Sequence, residues 1–106
     1  MSKVATPAAS LREGANGRLE IHGDLSFDSV PALWQACAER FAQGEAPDVE
    51  LGQVQRSDSA GLALLLECLR ATHQTGASIR FFNIPEQMLA IARASSLDQL
   101  LPLHHD

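Results

Sequence analysis

The alternation of apolar and charged residues predicts a half-buried strand from Arg18 to His22, because successive side chains of a strand point to opposite faces. Leu19 and Ile21 then face the core, and His22 lies on the outward face. A shorter edge strand is predicted at Leu11–Glu13, and the Gly and Asn residues between the two segments are typical of a turn. These patterns predict two adjacent strands early in the chain.

Apolar residues at helical spacing predict three helices. The first has Asp28 and Ser29 as candidate N-caps and Pro31 in its first turn, where proline is well tolerated. The second is rich in Leu and Ala, which are strong helix formers. The predicted helices extend from about Ser29 to the breakers Gly44 and Pro47, from Ser59 or Ala60 to about Gln74 before Gly76, and from Pro85 to Ala94.

Two further strands are predicted at Val49–Val54 and Ser78–Phe82, where β-forming residues are frequent. The leucines of Leu97–Leu103 are expected to pack as a last turn or strand. Strands that alternate with helices in this way indicate an α/β fold, in which right-handed crossovers join parallel strands.

The second helix is apolar over a wider arc than one sheet-facing stripe requires. Its predicted sheet face holds Leu62, Leu65, Leu66 and Leu69, and its water face holds Ala63, Glu67, Arg70 and Gln74. The flank between them holds Ala60, Leu64, Cys68 and Ala71. Either another helix of the domain covers this flank, or it is an exposed strip for docking a partner. The residues predicted to be buried in the core are Leu33, Trp34, Leu51, Leu65 and Leu69.

The 106 residues suffice for one domain with a modest core. We expect a flexible N-terminal tail at residues 1–10, a domain at residues 11–103 and a C-terminal tail at residues 104–106, since chain ends are often poorly ordered. No linker or internal repeat divides the domain.

The formal charge of −5, with eight Lys and Arg residues, argues against nucleic acid or an anionic membrane surface as a partner. The longest apolar run, Leu62–Leu66, is too short to span a bilayer, and no secretory signal is expected. Cys37 and Cys68 have no metal-ligand neighbours in sequence, so we expect reduced thiols that serve as small apolar side chains, and no metal or cofactor.

The most distinctive stretch is the loop before the second helix. Asp58 and Ser59 are both good N-caps, and Gly61 allows another surface to approach the backbone. His22, Asp24 and Ser59 could be combined on paper into a catalytic triad, but no Gly-x-Ser-x-Gly elbow is present. The chain has one lysine, Lys3, and no phosphate-binding loop. We therefore expect a protein that is not an enzyme.

Asp58-Ser59-Ala60-Gly61, followed by Leu62–Leu66, resembles the signature loop of STAS domains, and in particular of the MlaB-type STAS subunits of ABC transporters. The further matches are Gly23-Asp24-Leu25, Leu33-Trp34, Asn83-Ile84-Pro85-Glu86-Gln87 and Leu97-Asp98-Gln99-Leu100-Leu101. The resemblance covers nearly the whole chain after Leu11. It implies a single STAS domain, with a mixed sheet covered by helices chiefly on one face.

The resemblance also implies a function. An MlaB-like protein would bind an MlaF-like ATPase in the cytoplasm, at the inner membrane, in a complex with an MlaE-like permease and an MlaD-like lipid-binding subunit. That complex moves phospholipid between membranes and maintains outer-membrane lipid asymmetry. The residues expected at the partner contact are Asp58, Ser59, Ala60, Gly61, Leu64 and Cys68.

A second function is implied by other STAS proteins. In anti-sigma factor antagonists, a kinase phosphorylates the serine that matches Ser59, and partner binding is then lost. Ser59 has the hydroxyl that this switch requires. Co-purification with an ABC ATPase or with a sigma-regulating kinase would separate the two hypotheses.

Overall fold

One mixed sheet organises the domain in the computed structural model, which describes residues 9–44 and 48–106. Its strands are β1 (Ala9–Glu13), β2 (Leu19–Leu25), β3 (Asp48–Glu50), β4 (Val54–Ser57), β5 (Arg80–Phe82) and β6 (Leu103–His104). The order is β1-β2-β3-β5-β6, and β4 also pairs with β2. Only β1 is antiparallel to its neighbour in this sheet. The α/β architecture expected from the sequence is thus confirmed.

The predicted strand at Val49–Val54 is divided into β3 and β4. A turn interrupts it, since Val54 N–H donates to Leu51 C=O at 3.1 Å and Gly52 N–H donates to the Glu50 carboxylate at 2.9 Å. Both short strands pair with β2. The prediction of a single strand there is therefore wrong, although both β3 and β4 lie beside β2 in the sheet.

The helices begin and end close to their predicted positions. They are α1 (Val30–Ala42), α2 (Ser59–Gln74) and α3 (Glu86–Ala94), and a 3₁₀ turn follows at Leu97–Gln99. Of the two candidate N-caps of α1, Ser29 occupies the N-cap position, but its side chain makes no capping hydrogen bond. Ser29 Oγ instead donates to Asp24 C=O at 2.8 Å and accepts from Ser26 N–H at 2.9 Å. Pro47 lies outside the described residues.

The strand register places apolar and polar rows on opposite faces of the sheet. One row holds Leu19, Val49, Phe81 and Leu103, and the next holds Glu20, Glu50, Phe82 and His104. Leu19, Val49 and Phe81 are almost completely buried and lie on the face that the helices cover. This division produces the expected arrangement, with helices chiefly on one face.

Helix α2 is buried over a different arc from the one predicted. Leu64 and Cys68 are each 1% exposed, and α1 packs against α2. The prediction of an exposed docking strip is therefore wrong for these two residues. The alternative, that another helix of the domain covers this flank, is confirmed. The physical reason is that α2 contacts both the sheet and α1, so its buried arc spans two faces.

The core prediction is confirmed for Leu33, Leu51 and Leu65, which are at most 5% exposed. It is wrong for Trp34 and Leu69, which pack against the core but are only partly buried. Among the terminal leucines, Leu101 is buried while Leu100 is 64% exposed.

Both predicted domain boundaries fall inside strands. β1 includes Ala9 and Ser10, and β6 includes His104. The remainder of the predicted N-terminal tail, residues 1–8, lies outside the described residues. In the C-terminal segment, Asp106 N–H donates to Asn83 Oδ1 at 3.0 Å.

Candidate functional site

The β4–α2 loop places two polar side chains at the start of α2. Asp58 is the N-cap, and its Oδ1 accepts from Ala60 N–H at 2.7 Å. Asp58 N–H donates to Leu25 C=O at 3.1 Å, which ties the loop to the end of β2. Ser59 is the first residue of the helix and is exposed. Its hydroxyl therefore lies at the positive end of the helix dipole.

Ser57, which is 4% exposed, anchors the β4–α2 loop to its neighbours. Ser57 Oγ donates to Asp58 C=O at 3.0 Å, and Ser57 N–H donates to Gln87 Oε1 of α3 at 3.2 Å. Neither Ser57 nor Gln87 was predicted to belong to the site. Gln87 belongs to the Pro-Glu-Gln stretch that carried the family resemblance, but the resemblance assigned no structural role to this residue.

Gly61 is a point of close packing. A Cβ added there would lie 2.1 Å from Ser57 Oγ and 3.0 Å from Leu25 Cβ. Since real Cβ atoms do not approach other atoms so closely, glycine lets α2 sit against the ends of β2 and β4.

The residues expected at a partner contact divide into two groups. Asp58 and Ser59 are exposed. The other four are buried, namely Ala60, Gly61, Leu64 and Cys68. In this structure only the first two present side chains to a partner without rearrangement.

A polar groove lies beside the loop, at the carboxyl ends of β2 and β4. It has a volume of about 370 Å³ and is lined by Asp24, Leu25, Ser26, Asp28, Arg56, Ser57, Asp58 and Gln87. Three carboxylates face one guanidinium there. The excess of negative charge disfavours binding of an anion in this groove, although a helix N-terminus by itself attracts anions.

His22 does not line this groove. Its imidazole Nε2 instead contacts Glu20 Oε1 at 2.8 Å. The structure thus does not bring His22, Asp24 and Ser59 together as a catalytic triad. In the described ranges, no cluster of three or more His, Cys, Asp or Glu side chains could hold a metal ion.

An apolar groove lies between α1 and α2. Its volume is about 150 Å³, and it is lined by Val30, Pro31, Trp34, Ala63, Leu64 and Glu67. Phe27, just before α1, is 75% exposed. Ser59, Ala63 and Glu67 follow one another on successive turns of α2, so the exposed Ser59 lies on the same face of the helix as the groove. This groove was not predicted, because Ala63 and Glu67 were expected to face water without a neighbouring apolar surface.

No helix in the part of the chain that the structure describes has both the length and the apolar character needed to cross a bilayer. Comparison with protein families matches residues 9–102 to the family described as "Mlab, STAS domain". No curated protein matches the chain in sequence.

Several solved structures are similar. The MlaB subunit of the Acinetobacter MlaFEDB complex, in an ATP-bound conformation, is 30% identical, with 84% of this chain and 95% of that chain covered and a TM-score of 0.73. An anti-sigma factor antagonist from Mycobacterium paratuberculosis is 18% identical, with coverage of 95% and 90% and a TM-score of 0.72. Unphosphorylated SpoIIAA, also an anti-sigma factor antagonist, is 16% identical, with coverage of 93% and 88% and a TM-score of 0.71. The likeness of the last two structures to this chain shows a common fold and nothing further.

Proposed function

Since this chain belongs to the MlaB family of STAS domain proteins, we propose that it is the non-catalytic STAS subunit of an ABC transporter complex. The observation that carries the proposal is the 30% identity with MlaB of the MlaFEDB complex, over 95% of that subunit. The partner that we propose is the MlaF-like ATPase, which the chain binds and supports.

The wider setting follows from the same relationship. The complex also contains an MlaE-like permease and an MlaD-like lipid-binding subunit, and it moves phospholipid between membranes to maintain outer-membrane lipid asymmetry. The chain is cytoplasmic and attached to the inner membrane through these partners. The domain that we propose extends from Ala9 to His104, and so begins and ends slightly outside the expected residues 11–103.

We propose that the ATPase docks at the start of α2. Asp58 and Ser59 are exposed there, and the apolar groove continues along the same face of the helix. Phe27, which is 75% exposed, lies immediately before α1 in the chain. Aromatic side chains and apolar pockets of this kind carry much of the binding energy at protein interfaces. Ala60, Gly61 and Cys68 contribute by holding the surface in shape, and Leu64, which is 1% exposed, forms the floor of the groove.

The test is binding of the purified chain to the ATPase subunit of the same organism, measured by pull-down and titration. Ala63→Arg places a charge in the apolar groove, and we expect it to weaken binding at least about tenfold, because an unpaired charge is costly to bury. Ala90→Arg is the matched control, since Ala90 is an exposed alanine of α3 outside the groove. We expect the control to bind normally.

Two outcomes would count against the proposal in different ways. If the wild-type chain does not bind the ATPase, the function is wrong. If the wild-type chain binds and both arginine variants bind equally well, the function stands and the docking surface lies elsewhere.

A second candidate function is an anti-sigma factor antagonist that phosphorylation of Ser59 switches off. The observation that favours it is the exposed hydroxyl of Ser59 at the helix N-terminus, where added negative charge is tolerated. The test is incubation with ATP and each candidate anti-sigma factor kinase of the organism. Phosphate on Ser59, absent in Ser59→Ala, together with loss of kinase binding, would establish this function instead.

A further inference from the structure

Two buried thiols lie on helices that pack together, Cys37 on α1 and Cys68 on α2. α1 joins β2 to β3 and α2 joins β4 to β5, and all four strands are parallel, so the helices run in the same direction. The apolar groove sets their register, because Trp34 of α1 and Leu64 of α2 line it together. One turn further along each helix lie Cys37 and Cys68.

Burial and packing place the two cysteines in the same part of the core. Each is 1% exposed, both belong to the same core cluster, and both are free. Interaction with the Cys68 thiol lowers the pKa of Cys37 despite its burial, and the positive charge of Arg40 acts in the same direction. The same interaction, together with burial, raises the pKa of Cys68. Cys37 is therefore the better nucleophile of the pair, because the thiolate is the reactive form.

We propose that Cys37 and Cys68 form an internal disulfide that joins α1 to α2 when a hydroperoxide oxidises the protein. In the first step the Cys37 thiolate attacks one peroxide oxygen. An S–O bond forms, the O–O bond breaks, and hydroxide (or alkoxide) leaves. Cys37 becomes a sulfenic acid, oxidised by two electrons, and the peroxide is reduced.

In the second step the Cys68 sulfur attacks the Cys37 sulfur. The S–S bond forms, the S–O bond breaks, and the departing hydroxide takes the Cys68 proton to give water. The pair loses two hydrogen atoms in total. A thiol reductant reverses the reaction, in line with the transient disulfides of reducing compartments.

Access comes through the groove. Trp34 and Leu64 form its walls one turn from the sulfurs, so a molecule as small as hydrogen peroxide needs only a local opening of the two helices. The helices then reclose with both sulfurs inside the same buried cluster.

The test treats the reduced, folded protein with hydrogen peroxide, blocks the remaining thiols, and measures the intact mass and the tryptic peptides without reduction. We expect a monomer that has lost two hydrogen atoms. Peptide 19–40, which contains Cys37, should be linked to peptide 57–70, which contains Cys68, and dithiothreitol should release both. Cys37→Ala and Cys68→Ala are the controls, and neither should give the linked peptides.

Three results would overturn the proposal. These are sulfinic acid at either cysteine without the linked peptides, dimers joined between molecules, or a cross-link that forms only after the protein is unfolded in urea. The mass measurement on the wild-type protein decides the question even if an alanine variant folds poorly.

Discussion

At the scale of single residues, the roles of Asp58 and Ser59 separate. Both are good N-caps by type, but only one position can cap a given helix. Asp58 occupies it through a bond of 2.7 Å to Ala60 N–H, and Ser59 is the next residue, exposed on the first turn. The stabilising group and the group available to a partner are therefore adjacent but distinct.

This separation leads to a prediction for Ser59→Asp. The helix N-terminus favours a negative charge by roughly 0.3–1 kcal/mol, so we expect the melting temperature to stay within a few degrees of wild type. If Ser59 lies in the ATPase interface, binding should weaken at least about tenfold, because the new carboxylate loses its water. Ser78→Asp, at an exposed serine outside the site, is the control. Equal binding by both variants would leave Ser59 without a role in docking.

A second residue-scale prediction concerns Gly61→Ala. The added Cβ would meet Ser57 Oγ at 2.1 Å, so α2 or the loop must shift. We expect a loss of about 1–3 kcal/mol in the free energy of unfolding, the usual cost of overpacking, measured by urea denaturation. The double variant with Ser57→Ala removes the clashing oxygen and should recover part of that loss. An unchanged midpoint for Gly61→Ala would show that this contact is loose.

At the scale of elements, α2 is a helix with two buried sides. It packs against α1, α3 and the sheet, and Leu64, Leu65 and Cys68 are each at most 1% exposed. Ala63, which directly precedes Leu64 in the chain, is exposed. Neighbouring positions on this helix therefore differ sharply in their tolerance of charge.

We expect Leu64→Arg to unfold the domain, because no partner is available for a charge at a position 1% exposed. Leu65→Ala should cost about 2–5 kcal/mol through the cavity that it leaves. Ala63→Arg should melt within a few degrees of wild type. Thermal melts of the three variants compare these positions directly. A cooperative melt near the wild-type temperature for Leu64→Arg would mean that α1 does not cover α2 in solution.

At the scale of the whole molecule, Arg18, which directly precedes β2, bonds Asp106 across the open face of the sheet, at a separation of 88 residues. Its guanidinium lies 3.7 Å from the centroid of Phe82, bonds Glu50 at 2.9 Å, and reaches Asp106 through a second nitrogen at 3.0 Å. Asn83 donates to Glu50 at 2.9 Å and accepts from Asp106 N–H. Phe82, on the face without helices, is 7% exposed beneath this layer.

This network predicts a pH dependence. The hydrogen bond from Arg18 is the largest cause that lowers the pKa of Asp106, so the unfolded chain takes up this proton before the folded chain as the pH falls. The resulting stabilisation is present above about pH 4, the ordinary aspartate pKa, and is lost as the pH falls through the lower folded value. We expect Asp106→Asn to melt below wild type at pH 7, with the difference shrinking under acid.

The control for this experiment is the same substitution in an Arg18→Gln background. Without the guanidinium, Asp106→Asn should change the melting temperature less at pH 7, because the largest interaction that lowers the pKa of Asp106 is gone while the smaller ones with Asn83 and His105 remain. An identical effect of Asp106→Asn in both backgrounds would show that Arg18 does not act on Asp106 in solution.

The family was indicated by a resemblance of motifs. The order and approximate limits of the helices, and Asp58 and Ser59 as the two cap candidates of α2, were predicted from the residues themselves. These properties depend on the periodicity of each segment and on the hydrogen bonding of neighbours along the chain, so local residues suffice.

The tertiary structure was needed to show which sides of α2 are covered, where the central strand breaks, and which residues approach from far along the chain. Leu64 is buried because α1 lies beside it, Cys37 and Cys68 come together in one core cluster, and Arg18 bonds Asp106 at a separation of 88 residues. A pattern of apolar positions shows that a helix has a wide apolar arc. Whether a second helix or water covers the flank depends on residues that the pattern does not contain, and this is why the docking strip was misplaced while the helix itself was correctly predicted.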